Sequence, residues 1–224
     1  MLKLTKILNQ TTIWAGIISP ILFVGIFTIE GALRSGYSPL KMYISALSLG
    51  NRGWIQIMNF MFFGILLLIF TFRISTEFPT GKASRGGLAL MRILALLFII
   101  SGPFVMDPMG TPSLQMSLHG TIHGLAGGIV FLLFPIICII YLRRFQEDNN
   151  WRSFKWVTLL FGIIEIIAVL FFTIVSKIPE EPNIFSDWLG LIQRLALIPF
   201  MVWVLFFGIE LLKRNNTKAT IITK

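Results

Sequence analysis

The chain has little charge. Only 13% of its 224 residues are Asp, Glu, Lys or Arg, and the acidic ones number 10. A water-facing domain carries about 25% charged residues, so a soluble globular surface is excluded. There is one cysteine, Cys138, inside an apolar block; this rules out an intrachain disulfide and reads as a small packing residue. There are two histidines, His119 and His123, four positions apart in one apolar block. On a single helix they cannot supply the two opposed axial ligands of a b-type haem, so a bis-histidine cytochrome is excluded. Long strand-like alternation is missing, as is any internal repeat of the kind that marks inverted-repeat transporters.

What is present is apolar sequence in long blocks. Hydrophobic residues make up 55% of the chain, and the mean hydropathy is +0.82. Crossing a hydrocarbon core of ~30 Å takes about 20 residues at 1.5 Å each. Six blocks meet that length: 12–33, 53–74, 88–106, 119–142, 155–175 and 188–212. The sequence therefore predicts an all-α, six-transmembrane-helix bundle forming a single membrane domain over 1–224, with a polar, frayed tail at 215–224. The first block is too long for the apolar core of a signal peptide and lacks a small-x-small cleavage site, so it reads as an uncleaved span. The loops are short, so consecutive helices are expected to be antiparallel neighbours.

The net charge of +9 does not point to nucleic acid, because Lys and Arg gather at the ends of the apolar blocks. Lys3, Lys6, Arg73, Lys82, Arg85, Arg143, Arg144, Arg152, Lys155, Lys213, Arg214, Lys218 and Lys224 lie on one side. Arg34, Lys41, Arg52 and Lys177 lie on the other. The positive-inside rule then places both termini in the cytoplasm and the chain in the cytoplasmic (inner or plasma) membrane. Membrane lipids are the expected surroundings.

The first outer loop carries its own signals. Ser38-Pro39 reads as an N-cap followed by proline at the first helical position, and Gly50 suits the closing turn. Leu40, Tyr43, Ile44 and Leu47 fall on one side of that segment, and Lys41, Ser45, Ser48 and Arg52 on the other. This predicts a short amphipathic interfacial helix over about 39–49, apolar face toward the bilayer.

Polar groups in a bilayer are costly and mark candidate sites. Asp107 is expected at the end of the third span, with His119 and His123 opening the fourth on one helical face. Two imidazoles and a carboxylate can hold a divalent metal such as zinc and leave a position for water. The stretch His119-Gly120-Thr121-Ile122-His123 lacks the glutamate of the zinc-protease motif. A hydrogen-bonded pair of histidines with an orienting Asp107 is the alternative. Gly120, Gly124 and Gly128 form a small-xxx-small row, for which a helix–helix contact is expected. Arg194, inside the sixth span, calls for a carboxylate (Asp107 or Glu30) or for an anionic headgroup. Glu165, near the middle of the fifth span, is the kind of intramembrane carboxyl on which proton relays are built.

Tyr37-Ser38-Pro39, Ser45-Ala46-Leu47-Ser48-Leu49-Gly50, Trp54, Asn59, Asp107-Pro108, His119 and His123 together resemble the six-span prokaryotic membrane proteins catalogued as domain of unknown function 998. The resemblance covers most of the chain and implies a six-helix fold with polar motifs on the outer side, but no activity. More loosely, the pattern is similar to the transmembrane hydrolases that include alkaline ceramidases and adiponectin receptors. Those gather a Ser, an Asp and three histidines around zinc within seven spans, and this chain has two histidines and six spans.

Two function classes follow. In the first, a metal held by Asp107, His119 and His123 activates water against a lipid or amphiphile, Ser45 or Ser48 orients the substrate, and Arg194 holds its headgroup. In the second, the protein binds or transports a lipid or solute without catalysis, using Arg194, Glu165 and Glu30.

Overall fold

In hydrocarbon every backbone N–H and C=O must be paired within the chain, so each apolar block has to close its hydrogen bonds as a helix. The computed structural model describes residues 2–178 and 184–222, with side chains over 10–178 and 184–217. The helices are α1 (Leu2–Leu33), α2 (Trp54–Glu77), α3 (Lys82–Ser101), α4 (Leu118–Glu147), α5 (Phe154–Val175) and α6 (Leu189–Ile222). All six are long and apolar enough to cross a membrane, and no strand occurs among the described residues.

The helices pack in chain order as a closed ring, α1 against α2 and so on round to α6 against α1, with α4 and α6 also touching across the middle. Glycine sets one of these seams. A Cβ on Gly64 of α2 would meet the carbonyl oxygen of Ala95 and the amide nitrogen of Ile99, so α2 and α3 lie backbone to backbone there. The interior is aromatic. Phe23, Phe63 and Phe98 interlock toward the end away from the termini, called distal below. Phe134 stacks on Phe200 at 4.3 Å in the middle. Phe145 and Trp151 stack at 5.0 Å toward the terminal end. Trp54 and Trp188 are exposed at helix ends, as interfacial aromatics should be. Trp151 instead belongs to the core, under the guanidinium of Arg214.

Several boundaries differ from the sequence reading. The third helix is displaced toward the N-terminus, covering 82–101 rather than 88–106. Gly81, at φ 102°, starts it, and Pro103, which has no N–H to donate, stops it. Asp107 therefore does not end a helix; it lies in the connection beyond. The tail expected to fray from Asn215 continues α6 to Ile222. Lys224, counted for topology, lies outside the described residues.

The loop between α1 and α2 shows the largest difference. An amphipathic helix over 39–49 is not what forms. Residues 38–42 make a turn, closed by Met42 N donating to Ser38 O at 2.8 Å. A 3-10 helix then covers Ile44–Ser48, and all five of its residues are buried. Gly50, at φ 72°, closes the segment as expected. The helical periodicity was real, but the segment plugs the distal end of the ring instead of lying on a lipid surface. Ser45 and Ser48 go inward with Ile44 and Leu47.

Candidate functional site

The distal end is roofed by residues 34–53, and two clusters of charge pin the roof down. On one side Glu30, at the end of α1, accepts from Arg34 (Nε 3.1 Å, Nη2 2.9 Å) and Arg52 (Nε 3.0 Å, Nη2 2.6 Å). Arg34 also donates to Leu49 O at 2.9 Å, tying both ends of the roof to one carboxylate. On the other side Arg194 of α6 donates from Nη1 to the carbonyls of Pro39 (2.7 Å), Met42 (3.1 Å) and Gly190 (2.8 Å), and from Nη2 to Tyr37 Oη at 2.5 Å. Neither expected partner applies: Glu30 serves Arg34 and Arg52, and Asp107 is engaged elsewhere. Backbone carbonyls take the guanidinium because the roof turn aims several at one point. Gly190 lets the turn approach this closely, since a Cβ there would collide with Pro39 O and Met42 O. Burial pushes the Tyr37 phenol above the ordinary tyrosine range, against the opposing pull of Arg194.

Beneath the roof lies a cavity of about 50 Å³. Four polar side chains reach it from four elements: Ser45 of the roof, Ser101 of α3, His123 of α4 and Gln193 of α6. Phe60, Phe98, Val130, Phe131 and Leu197 make up much of the apolar wall. Three of these groups have defined hydrogen bonds. His123 Nδ1 lies 2.8 Å from Phe104 O, and since a carbonyl only accepts, Nδ1 carries the proton and Nε2 is left as the acceptor nitrogen. Gln193 Oε1 accepts from Ile44 N at 2.7 Å, so its NH2 remains the free end. Ser101 donates to Leu97 O at 2.8 Å.

The other expected site residues are dispersed. Asp107 accepts from Ser117 N at 2.8 Å and packs against Gly120, where a Cβ would run into its carboxylate. Ser117 then caps α4 by accepting from Gly120 N at 3.0 Å. Asp107 thus fixes the start of α4. His119 is exposed with its ring 5.3 Å from Phe104, while His123 turns inward. Among the described residues no three His, Cys, Asp or Glu side chains gather as a metal site, and Asp107, His119 and His123 stand apart in this structure. Ser48 donates to Ser45 O at 2.6 Å and braces the 3-10 helix. Gly124 and Gly128 are exposed and meet nothing where a Cβ would stand, so within this chain the glycine row contacts no neighbouring helix.

Glu165 is buried on the face of α5 that meets α4 and α6. Neither carboxyl oxygen has a hydrogen-bond partner among the described residues, and the Phe200 backbone lies beside it without completing one. Sequence reasoning missed Ser101 and Gln193. Gln193, an uncharged amide beside Arg194 in an apolar block, was the available signal. It also missed Tyr37 as the partner of Arg194.

Residues 17–210 match the family described as protein of unknown function, DUF998. The chain belongs to this family. The match takes in the roof, all the cavity residues and Glu165, so these are features of the DUF998 region and not of an appended segment. No curated protein and no solved structure matches the chain. Within this DUF998 chain the likeness to the ceramidase group gains no support from geometry, because the two histidines diverge.

Proposed function

We propose that this protein binds the neutral polar end of a membrane-dissolved amphiphile in the distal cavity. The observation that carries the reading is the convergence of Ser45, Ser101, His123 and Gln193 on one small space inside an otherwise aromatic bundle. A cavity of about 50 Å³ is several times the roughly 10–15 Å³ that admits a single water, which leaves room for a small polar group. A hydroxyl, carbonyl or amide fits that measure. The His123 acceptor nitrogen, the Gln193 amide donor and the Ser45 hydroxyl complement such a group. No Lys or Arg lines the cavity, and Arg194 is committed to carbonyls, which disfavours an anionic headgroup. The distribution of Lys and Arg supports a distal end outside the cytoplasm.

The test uses Gly127, which lines the cavity and has open space at its Cβ position. A neutral monoacylglycerol should raise the melting temperature of the detergent-purified wild type but not of Gly127→Leu, and anionic phosphatidylglycerol should raise neither selectively. Equal responses of the two proteins to the monoacylglycerol would remove the reading.

A second reading, acyl hydrolysis, is favoured by Ser45 and His123 sharing this cavity, with Nε2 as the acceptor nitrogen. It replaces a metal-bound nucleophile with a serine. A fluorophosphonate probe should then label Ser45 in wild type and not in His123→Gln; an unlabelled Ser45 rejects hydrolysis and leaves binding intact.

A further inference from the structure

We infer that Glu165 is a proton-binding site in the middle of the membrane, and that its proton exchanges with water through the distal cavity. The inference does not depend on what occupies that cavity.

Glu165 lies eleven residues into the twenty-two of α5, so it is near mid-span. It is fully buried, and both carboxyl oxygens are unpartnered among the described residues. An intramembrane carboxylate is normally matched by a cation, a metal or several donors. None of the ion pairs of the described residues includes Glu165. From α4 the titratable group facing it is Cys138; from α6 its neighbour is Phe200, which bears no charge. A proton is the one counter-ion small enough to neutralise the carboxyl without further ligands.

The route is given by contacts. Phe131 is both a wall of the distal cavity and a ring neighbour of Phe134 at 5.6 Å. Phe134 stacks on Phe200 at 4.3 Å, and Phe200 is the residue beside the Glu165 carboxyl. A run of contacts thus leads from the cavity wall, through a layer formed by the Phe134–Phe200 stack, to the Phe200 backbone beside Glu165. Two helices of this layer carry proline in their interiors, Pro135 on α4 and Pro199 on α6. Each proline leaves one carbonyl without its usual helical donor, those of Phe131 and Leu195. The Phe131 carbonyl lies one turn nearer the cavity than Pro135, on the buried side of α4, and can accept from a water that enters past the rings; Leu195 stands on the exposed side of α6. In the exchange the Glu165 carboxylic acid gives its proton to that water, forming carboxylate and hydronium, and the reverse step restores the acid.

The experiment is infrared difference spectroscopy of the full chain in lipid, transferred from H2O to D2O. The wild type should show a carboxylic-acid C=O band that is missing in Glu165→Gln. That band should shift in D2O well before the α5 amides exchange. Gly127→Leu, which fills the cavity above the stack, should slow the shift several-fold, and Phe134→Ala should speed it. Absence of the acid band overturns the inference. So does a band that shifts only together with the α5 amides, because the carboxyl is then sealed and structural. The Glu165→Gln spectrum assigns the band, and a shift that Gly127→Leu leaves unslowed overturns the route through the distal cavity.

Discussion

Arg194 Nη2 donates to Tyr37 Oη at 2.5 Å, across 157 positions of sequence. This bond joins α6 to the roof, and the same guanidinium also holds the carbonyls of Pro39 and Met42. An arginine for which the sequence suggests a carboxylate partner or an anionic headgroup here fastens a lid-like loop. The planar fork explains the choice of residue, since several acceptors lie on one side of one cation.

Arg194→Lys should therefore destabilise the fold although charge is kept. A lysine ammonium on its flexible stem does not reproduce the fork. Charged hydrogen bonds contribute about 1.5–3 kcal/mol each, and the partial exposure of this site argues for a total loss near the lower figure. The melting temperature in detergent should fall by several degrees, and an unchanged value would show that the roof holds without this residue.

Tyr37 gives the roof a pH limit. Burial raises its phenol in the folded protein, so the stability tied to the neutral form is fully present below about pH 10, the unfolded tyrosine value. It is lost as pH rises through the higher folded value. Melting temperature measured from pH 8 upward should drop more steeply at the alkaline end for wild type than for Tyr37→Phe. Parallel profiles would assign the alkaline limb to other groups.

Gly120 and Asp107 should behave as a pair. Gly120→Ala forces its methyl into the Asp107 carboxylate and the backbone beneath it, and should destabilise α4's start. Asp107→Ala in the same chain removes part of the obstacle, so the double variant should lose less than the two single losses summed. A thermal-melting cycle measures this coupling, and strict additivity would mean that the two residues do not meet.

Topology is open to a labelling experiment, since the native Cys138 is buried. Leu114, fully exposed in the connection between α3 and α4, and Asn149, in the turn between α4 and α5, lie at opposite ends of the bundle. With both termini in the cytoplasm, Leu114→Cys should react with a membrane-impermeant maleimide on intact cells, and Asn149→Cys only after lysis. The reverse pattern would invert the orientation.

The six helices were legible because membrane insertion depends on local quantities. An apolar run of about 20 residues must become a helix whatever its neighbours do. Ends marked by Gly and Pro were less certain: Pro103 cut α3 short of its apolar block, and Asp107 fell outside the helix with it. The segment 39–49 shows the other limit. Its helical spacing was visible, but a sequence pattern does not distinguish a face laid on lipid from one pressed into a ring of helices. That choice depended on Gly190, Gln193 and Arg194, some 150 positions away.

The sequence by itself determined the environment, the number of spans, the scarcity of intramembrane charge, and the importance of Glu165, Arg194 and the histidines as groups that need a reason to be where they are. Only the tertiary structure decided what those reasons are. His119 and His123 share a helix but differ in surroundings, because His119 stands exposed in the first turn beside Phe104 while His123, one turn further in, is buried beneath the roof. Ser45 and His123 share a cavity because the first loop, packed on α1, α2 and α6, closes the end of the ring toward which His123 faces. Arg194 found carbonyls where a carboxylate or a headgroup was expected, and Glu165 found no hydrogen-bond partner among the described residues. Partners in a bundle are set by which helix faces meet across the ring, and that is a property of packing which no single span carries.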